Sequence, residues 1–178
     1  SVGKPVPTCE MKIVDEDGKT LPAGEIGEVF LRPLEGPGTS YRYIGAEAKS
    51  IEGGWESLGD MGWMDAEGYL YLTDRLSDMI LSGGANVYPA EVEAALDAFP
   101  GVRSSAVIGL PDDDLGARLH AIIDRPEGPA DGAAMQAHLA EYLVRYKIPR
   151  SFEYVSEPLR DDAGKVRRKD LRAARVKG

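Results

Sequence analysis

The chain has 178 residues, and 43% of them are hydrophobic, which is enough to bury a core in one or two compact units. Its formal net charge of −9 argues against general nucleic-acid binding, because that requires a basic surface to displace counterions. A single cysteine excludes an internal disulfide, and the two histidines have no metal-ligand spacing, so we predict no protein-held metal.

The sequence also lacks signals for membrane insertion and secretion. No apolar run approaches the ~20 residues that cross a bilayer, and the first residues do not have the pattern of a signal peptide. We therefore expect a cytoplasmic protein without a transmembrane segment. Residues 1–7 read as the middle of a domain, so we also expect this chain to be part of a longer protein.

The first part of the chain predicts β-structure. Glu10–Val14 predicts a strand that enters a tight turn at Asp15–Gly18, because Asp-Gly supplies the positive φ of hairpin turns. Gly27–Arg32 alternates like a half-buried strand, and Trp63–Leu72 predicts a second hairpin through another glycine-containing turn. Residues 34–54 are rich in Gly, Pro and Ser and predict a loop.

After about residue 76 the pattern changes to mixed helix and strand. Pro89 predicts the first position of a helix, with Glu91 and Glu93 in its electropositive first turn and a stop at Pro100-Gly101. The predicted apolar face of this helix comprises Val92, Ala95, Leu96 and Phe99.

Two strands and a second helix are predicted next. Residues 104–110 and 118–123 read as strands separated by an acidic turn at 111–114, and residues 132–146 predict the helix. The predicted apolar face of the second helix comprises Met135, Leu139, Leu143 and Tyr146.

These elements predict an α+β protein built from two units. Residues 1–75 would form a β-rich subdomain, and residues 76–178 a small α+β domain. We place the connection, a candidate hinge, at residues 76–78.

An acidic and a basic residue flank the second predicted hairpin. Asp60 follows Gly59, and the hairpin would return Arg75 beside it. A carboxylate accepts hydrogen bonds from the vicinal hydroxyls of a ribose, and a guanidinium donates to ribose or phosphate oxygens. The alternative is a turn carboxylate in a surface ion pair, which is worth about 0–1 kcal/mol.

Two more segments place glycine beside candidate ligand-binding positions. At Ser82-Gly83-Gly84 a backbone without side chains would let a slender ligand pass, or the glycines would only end a strand in a turn. Lys165 follows Gly164 and begins a cationic stretch at 165–177. Its ammonium would stabilise charge on a phosphate oxygen and an attacking carboxylate, or would only solvate the surface.

Taken together, these segments resemble the adenylate-forming superfamily, which includes acyl- and aryl-CoA synthetases and nonribosomal adenylation domains. The segments that carry the resemblance, besides those above, are Gly3–Pro7, Gly24–Glu28, Tyr88–Glu93, Tyr146–Pro149 and Gly164-Lys165. The resemblance implies that Asp60 binds the ribose of ATP, that Arg75 assists it, and that Leu72 lies beneath the nucleotide. It also implies that Lys165 holds the carboxylate and the phosphate during adenylation.

The resemblance implies a path for CoA and a hinge, with some departures from the family pattern. Gly83 and Gly84, with Ser82, would line the pantetheine tunnel. The hinge residue is usually Asp or Lys, whereas here it is Ser77 with Asp78 beside it. The usual Leu-Pro-Arg-Thr before the catalytic Gly-Lys is Pro-Leu-Arg-Asp here, and the usual Glu or Gln after the acidic turn is Ala117.

The implied parent is an AMP-forming acid–CoA ligase. It would join a carboxylic acid to AMP with ATP and Mg²⁺, rotate the small domain, and then transfer the acyl group to CoA. The sequence has no Ser/Thr/Gly-rich phosphate loop. In the family that loop and the acyl pocket belong to the preceding N-terminal domain, which would also provide most of the contacts to Mg²⁺. We therefore expect this fragment to be inactive alone.

Two alternatives remain open at this stage. The parent would be an adenylation domain that serves a carrier protein, or the chain would be a stand-alone, non-catalytic module that binds a nucleotide or a partner. The carboxylic acid is also left open, because fatty, aromatic and steroid acids all fit the implied chemistry.

Overall fold

The computed structural model of this chain describes residues 1–36, 49–161 and 164–176. They form two compact units, Ser1–Ser77 and Asp78–Gly178, each with its own hydrophobic core. The predicted α+β class is confirmed, and every α-helix of the described residues lies in the second unit. None of these helices is long and apolar enough to cross a membrane.

The first unit is an antiparallel sheet around a core of Ile13, Val29 and Leu70. Strand β2 lies between β1 and β4, whereas β3 and β5 share the other edge of β4 and pair with its beginning and its end. The strands are β1 Cys9–Val14, β2 Gly27–Pro33, β3 Ser50–Ile51, β4 Trp55–Met64 and β5 Leu70–Arg75.

The loop predicted over residues 34–54 contains a strand, so that prediction was wrong in part. Ser50 and Ile51 form β3 and pair with the start of β4, through a turn in which Gly53 and Gly54 have φ values of +88° and +76°. The composition reveals the turn, whereas the strand exists only because the edge of β4 supplies partners for its backbone. Residues 37–48 of the predicted loop lie outside the described residues.

The described residues of the second unit form a hairpin, a three-stranded sheet and three α-helices. In the sheet, β8 pairs with β9 antiparallel and β10 pairs with β9 parallel, because α2 forms the crossover that parallel strands require. The elements are β6 Ile80–Ser82, β7 Ala85–Val87, α1 Pro89–Asp97, β8 Ser104–Asp112, β9 Gly116–Asp124, α2 Gly132–Tyr142, β10 Ser151–Val155 and α3 Arg168–Val176.

Both faces of this sheet are covered by helices. On one face, Val107 and Leu119 pack with residues of α1 and α2. On the other face, Ile108 and Ile122 pack with Leu171 of α3. Alternate residues of β8 therefore enter different cores, as the period of a strand requires.

The structure corrects three local predictions in this unit. Helix α2 ends at Tyr142, not at residue 146, because Leu143 turns extended to reach the core. Tyr146 is consequently exposed, in a single 3₁₀ turn, and does not share the apolar face. The acidic turn is shorter than predicted, because β8 continues through Pro111 and Asp112.

The third correction concerns Glu93. Pro89 is the first residue of α1, so Glu93 is the fifth and lies beyond the electropositive first turn, which contains only Glu91 as an acid. Glu93 instead lies on the buried face of α1 and is only 4% exposed.

Candidate functional site

Asp60 and Arg75 lie opposite each other in the β4–β5 ladder. Both strands are irregular at this point. The register of β4 against β2 shifts at Leu58–Asp60, where Gly59 has a φ of +72° that favours glycine, and the register of β5 shifts at Thr73. Such bulges re-aim side chains and often occur beside active sites.

Hydrogen bonds to Ser57 and Glu28 support the bulge that precedes Asp60. The Gly59 N–H donates to Ser57 Oγ at 2.9 Å, and the Ser57 hydroxyl donates to the carboxylate of Glu28. Glu28 is buried and also accepts a hydrogen bond from Lys49 Nζ at 2.6 Å. The bulge and this hydrogen-bonded support thus fix the backbone that carries Asp60.

Leu72, which lies opposite Gly62 in the same ladder, adds exposed apolar surface to this hairpin. It is 45% exposed, although it is aliphatic and lies within β5. The preceding residue, Tyr71, stacks on Trp63 with ring centroids 4.1 Å apart. Exposed apolar surface beside an acid and a base matches the needs of a nucleoside, which has a flat ring and a polar sugar.

The turn of the same hairpin is held by Asp65. The backbone N–H groups of Tyr69 and Glu67 donate to Asp65 Oδ1 at 2.9 and 3.0 Å, and they hold the pKa of Asp65 below its ordinary value. Desolvation and the hydrogen bond to Asp65 together raise the pKa of the Tyr71 phenol. The hairpin that pairs Asp60 with Arg75 is thus closed by local polar contacts.

The candidate hinge is a single 3₁₀ turn, Leu76–Asp78, and the two compact units meet in sequence between Ser77 and Asp78. Ser77 is exposed, whereas Asp78 is half-buried and pairs with Arg168 at 2.8 Å between Oδ2 and Nη1. Neighbouring residues of the turn therefore differ, because one is open to solvent and the other is held by an ion pair.

Gly83 and Gly84 form the two-residue turn between β6 and β7, with φ values of +58° and +81°. Positive φ at both positions is the requirement of a type I′ hairpin turn. A Cβ at Gly83 would lie 3.0 Å from Leu115 Cδ2. The glycines thus serve the turn and also keep this surface free of side chains.

A groove of about 910 Å³ lies beside this turn, within the second unit. Ser82, Gly83 and Leu115 line one part of it, and Arg145, Tyr146 and Arg150 line another. The groove therefore combines an open backbone, apolar surface and two guanidinium groups, which suits a long ligand with an anionic end.

Lys165 is an exposed residue on the tight turn that precedes α3. Asp161 closes this turn, because its Oδ1 accepts the Lys165 N–H at 2.9 Å and its own N–H donates to the Lys165 carbonyl at 3.1 Å. Gly164, with φ of +73°, allows the reversal. A cavity of about 390 Å³ beside the turn includes Lys165, Arg167 and Asp170 in its lining.

Helix α3 is docked by arginines as well as by Leu171. Arg168 donates from Nε and Nη2 to the two oxygens of Glu93, at 3.1 and 2.7 Å. Arg172 Nε donates to the carbonyl of Gly109 at 2.8 Å, and Arg175 forms two bonds of 2.6 Å with Glu153.

Glu153 also contacts His120, which is 8% exposed. His120 Nε2 lies 3.3 Å from Glu153, and Nδ1 lies 2.8 Å from Ser151 Oγ. Burial lowers the pKa of His120 below its ordinary value, although Glu153 opposes this effect. The Arg175 guanidinium lowers the pKa of Glu153.

Two groups of candidate residues were missed by the sequence analysis. Arg145 and Arg150 flank a segment of family resemblance, but only the folded chain brings them to the glycine turn. Glu93 gave a readable signal, because an acid at the spacing of a buried helix face requires a partner. That partner, Arg168, lies 75 residues later in the chain and leaves no local pattern.

The described residues contain no group of three or more His, Cys, Asp or Glu side chains that could hold a metal ion. Asp60, Arg75 and Leu72 lie together on one hairpin of the first unit. The glycine turn and Lys165 both lie in the second unit.

The chain is similar in sequence to curated ligases. The chain is 39% identical to the 2-succinylbenzoate–CoA ligase of Geobacillus kaustophilus over 97% of its own length and 35% of the ligase. It is 35% identical to the fatty acid–[acyl-carrier-protein] ligase ScoC of Streptomyces coeruleorubidus, over 97% of this chain and 33% of that protein. The chain therefore spans about a third of the length of these curated relatives.

A solved structure gives the same result. The o-succinylbenzoate CoA synthetase MenE of Bacillus subtilis, in complex with the acyl-adenylate intermediate OSB-AMP, matches with a TM-score of 0.75 and 36% identity. The match covers 96% of this chain and 35% of MenE. In fold and in sequence the chain is thus similar to about a third of these ligases. A model of the AMP-binding enzyme C-terminal domain family matches residues 91–165 of this chain.

Proposed function

We propose that this chain is the C-terminal part of an ATP-dependent carboxylic acid–CoA ligase. The observation that carries the proposal is the Asp60–Arg75 pair on a bulged hairpin, with exposed Leu72 beside it. The similarity of the whole chain to CoA ligases supports the same conclusion. The relatives act on chemically different acids, so the proposal extends to the class of reaction and not to one acid.

In this proposal the first unit binds the nucleoside of ATP. The carboxylate of Asp60 accepts hydrogen bonds from the ribose hydroxyls, and Arg75 donates to ribose or phosphate oxygens. Leu72 supplies apolar surface beneath the nucleotide. The bulge at Gly59 supports this assignment, because it holds the Asp60 backbone in a fixed direction before the ligand arrives.

The second unit supplies Lys165 to the adenylation step. The carboxylate of the acid attacks the α-phosphate of ATP, and the acyl-adenylate forms as pyrophosphate leaves. An ammonium near both reacting groups offsets the charge that builds on the phosphate oxygens. The exposed position of Lys165 on a tight turn supports this role, because the side chain is free to reach a bound ligand.

The glycine turn then serves the thioester step. After a rotation about residues 76–78, the side of the second unit with Ser82, Gly83 and Gly84 faces the acyl-adenylate, and the CoA thiol displaces AMP. The groove beside the turn supports this assignment, because Arg145 and Arg150 provide cations for a ligand rich in phosphates.

The parent would also bind Mg²⁺ with ATP and would contain the acyl pocket. The family resemblance places the phosphate loop and the acyl pocket in the N-terminal domain, so we assign both functions to the rest of the parent. This chain alone should therefore give no ATP–pyrophosphate exchange with any carboxylic acid.

The test separates the two half-reactions in the full-length ligase. Lys165→Ala should slow acyl-adenylate formation by about 100-fold or more, since it removes charge that acts on the transition state. Thioester formation from supplied acyl-adenylate and CoA should stay within about threefold of the wild type. Equal losses in both steps, or no loss in the first, would refute the role given to Lys165.

A second candidate is an adenylating enzyme that serves a carrier protein. It is favoured by the similarity to ScoC, a fatty acid–[acyl-carrier-protein] ligase. The full-length enzyme, charged with acyl-adenylate, should be offered free CoA and a phosphopantetheinyl carrier protein in parallel. Transfer to the carrier protein alone would replace CoA by the carrier protein in the proposal.

A further inference from the structure

The turn that bears Lys165 is joined directly to an ion-pair network centred on Arg168. Arg168 is in the first turn of α3, three positions after Lys165, and its guanidinium contacts two acids from distant parts of the second unit. One is Glu93 of α1, and the other is Asp78 at the start of the unit. A single side chain thus joins three segments.

Arg168, Glu93 and Asp78 form a network with specific geometry, which we call the clamp. Both oxygens of Glu93 accept hydrogen bonds from the Arg168 fork, and Glu93 Oε1 also accepts the N–H of Val107 at 2.9 Å. Nη1 of Arg168 remains for Asp78, at 2.8 Å. A planar guanidinium satisfies all these acceptors at once, which a lysine ammonium cannot do in the same geometry.

Among the described residues of the Lys165 turn, several hydrogen bonds link the turn to itself. Its hydrogen bonds run to Asp161 and Arg160, within the same turn. Beyond the turn, the chain continues through Val166 and Arg167 to Arg168. Arg168 then links the turn to Glu93 and Asp78.

We infer that Arg168 is a positioning residue, which fixes the Lys165 turn relative to α1 and to Asp78. The inference rests on the proposed function, because it assumes that Lys165 acts in adenylation. Arg168 acts through Lys165 and does not touch the substrate. Without the clamp the Lys165 side chain is still present, but its turn is free to move. A small misplacement of a catalytic group removes much of its contribution to the rate.

The test measures single-turnover acyl-adenylate formation in the full-length ligase. Arg168→Gln should slow this step by about 10- to 100-fold, with KM for ATP and thioester formation from supplied acyl-adenylate each within about threefold. Arg172→Gln is the matched control, because Arg172 docks the same helix one turn later through the Gly109 carbonyl. It should leave adenylation within about threefold of the wild type.

The decisive readout is the double variant. If Arg168 acts through Lys165, adding Arg168→Gln to Lys165→Ala causes no further loss. A further loss in the double variant, equal slowing of both half-reactions, or no effect of Arg168→Gln would overturn the inference while the proposed function stands. No effect of Lys165→Ala on adenylation would instead refute the proposed function.

If Arg168→Gln does not fold, Asp78→Asn tests the same inference. It weakens one arm of the clamp and leaves the Glu93 fork intact. We expect adenylation to slow by at least about threefold, again with no further loss in the Lys165→Ala background. An unchanged adenylation rate in Asp78→Asn would overturn the inference.

Discussion

The Asp60 region and the Lys165 region are held in place by different kinds of interaction. Around Asp60 the backbone is fixed by a bulge, by a glycine with positive φ and by the pairing of β4 with β5. Around Lys165 the chain beyond the turn is anchored by a set of charged side chains centred on Arg168. The first region should therefore be sensitive to backbone torsions, and the second to the loss of single charges.

The two units can be followed separately in one unfolding experiment. Both tryptophans of the chain, Trp55 and Trp63, lie in the first unit, so fluorescence reports on that unit. The α-helices of the described residues lie in the second unit, so helical circular dichroism reports on the other. A variant of one unit should shift one signal and leave the other unchanged.

Glu93→Ala should have the largest effect. It breaks a buried ion pair and leaves the Val107 N–H and part of Arg168 without an acceptor, which costs about 3–5 kcal/mol. The loss should appear in urea unfolding followed by circular dichroism. In the control Glu91→Ala, which breaks a more exposed pair with Lys147, the loss should be at most about 1 kcal/mol. Similar losses in the two variants would contradict the difference in burial.

Gly59→Val should have the next largest effect, and in the other unit. A Cβ at Gly59 would have no atom within 4 Å, so the cost is the backbone strain of a φ of +72° in a β-branched residue. We expect a loss of about 1–3 kcal/mol by tryptophan fluorescence. Gly59→Asn should lose less, because asparagine tolerates this conformation. Equal stability of Gly59→Val and wild type would show that the bulge does not depend on this torsion.

The smallest expected effect is a dependence of the second unit on pH. Because the pKa of His120 is lowered in the folded chain, the unfolded chain binds the proton more readily. Stability should be full above the ordinary pKa of 6.5 and should fall as the pH decreases below it. Glu153, whose pKa is also lowered, should add a loss as the pH falls below 4.5. His120→Gln should remove the first decrease and keep the second, and a persistent first decrease would exclude His120 as its source.

Local sequence signals predicted much of the fold. The turn at Asp15–Gly18, the start of α1 at Pro89 and the hairpin that brings Arg75 opposite Asp60 follow from glycine, proline and residue alternation. These features depend on neighbours in the chain. For Gly83-Gly84 the sequence left two interpretations open, a strand-ending turn or an open backbone beside a ligand, and the structure contains the turn.

What the sequence could not show depends on pairing between distant segments. Strand β3 exists through the edge of β4, and α2 stops where Leu143 turns into the core. The basic segment after Lys165 reads as a solvated tail, yet Arg168, Arg172 and Arg175 dock it to the body of the second unit. Only the position of Glu93 on a buried helix face pointed to such a partner.

The anchoring of Asp78 limits how the proposed rotation can take place. Arg75 belongs to the β4–β5 ladder, and the Asp78 side chain is bound to Arg168, so only residues 76 and 77 lie between fixed points. Each residue contributes two soft backbone torsions, so only a few backbone angles determine the proposed rotation. A link of two residues has much less conformational freedom than a long flexible linker. A change in any one of these backbone angles would therefore alter the path that Lys165 follows in the proposed rotation.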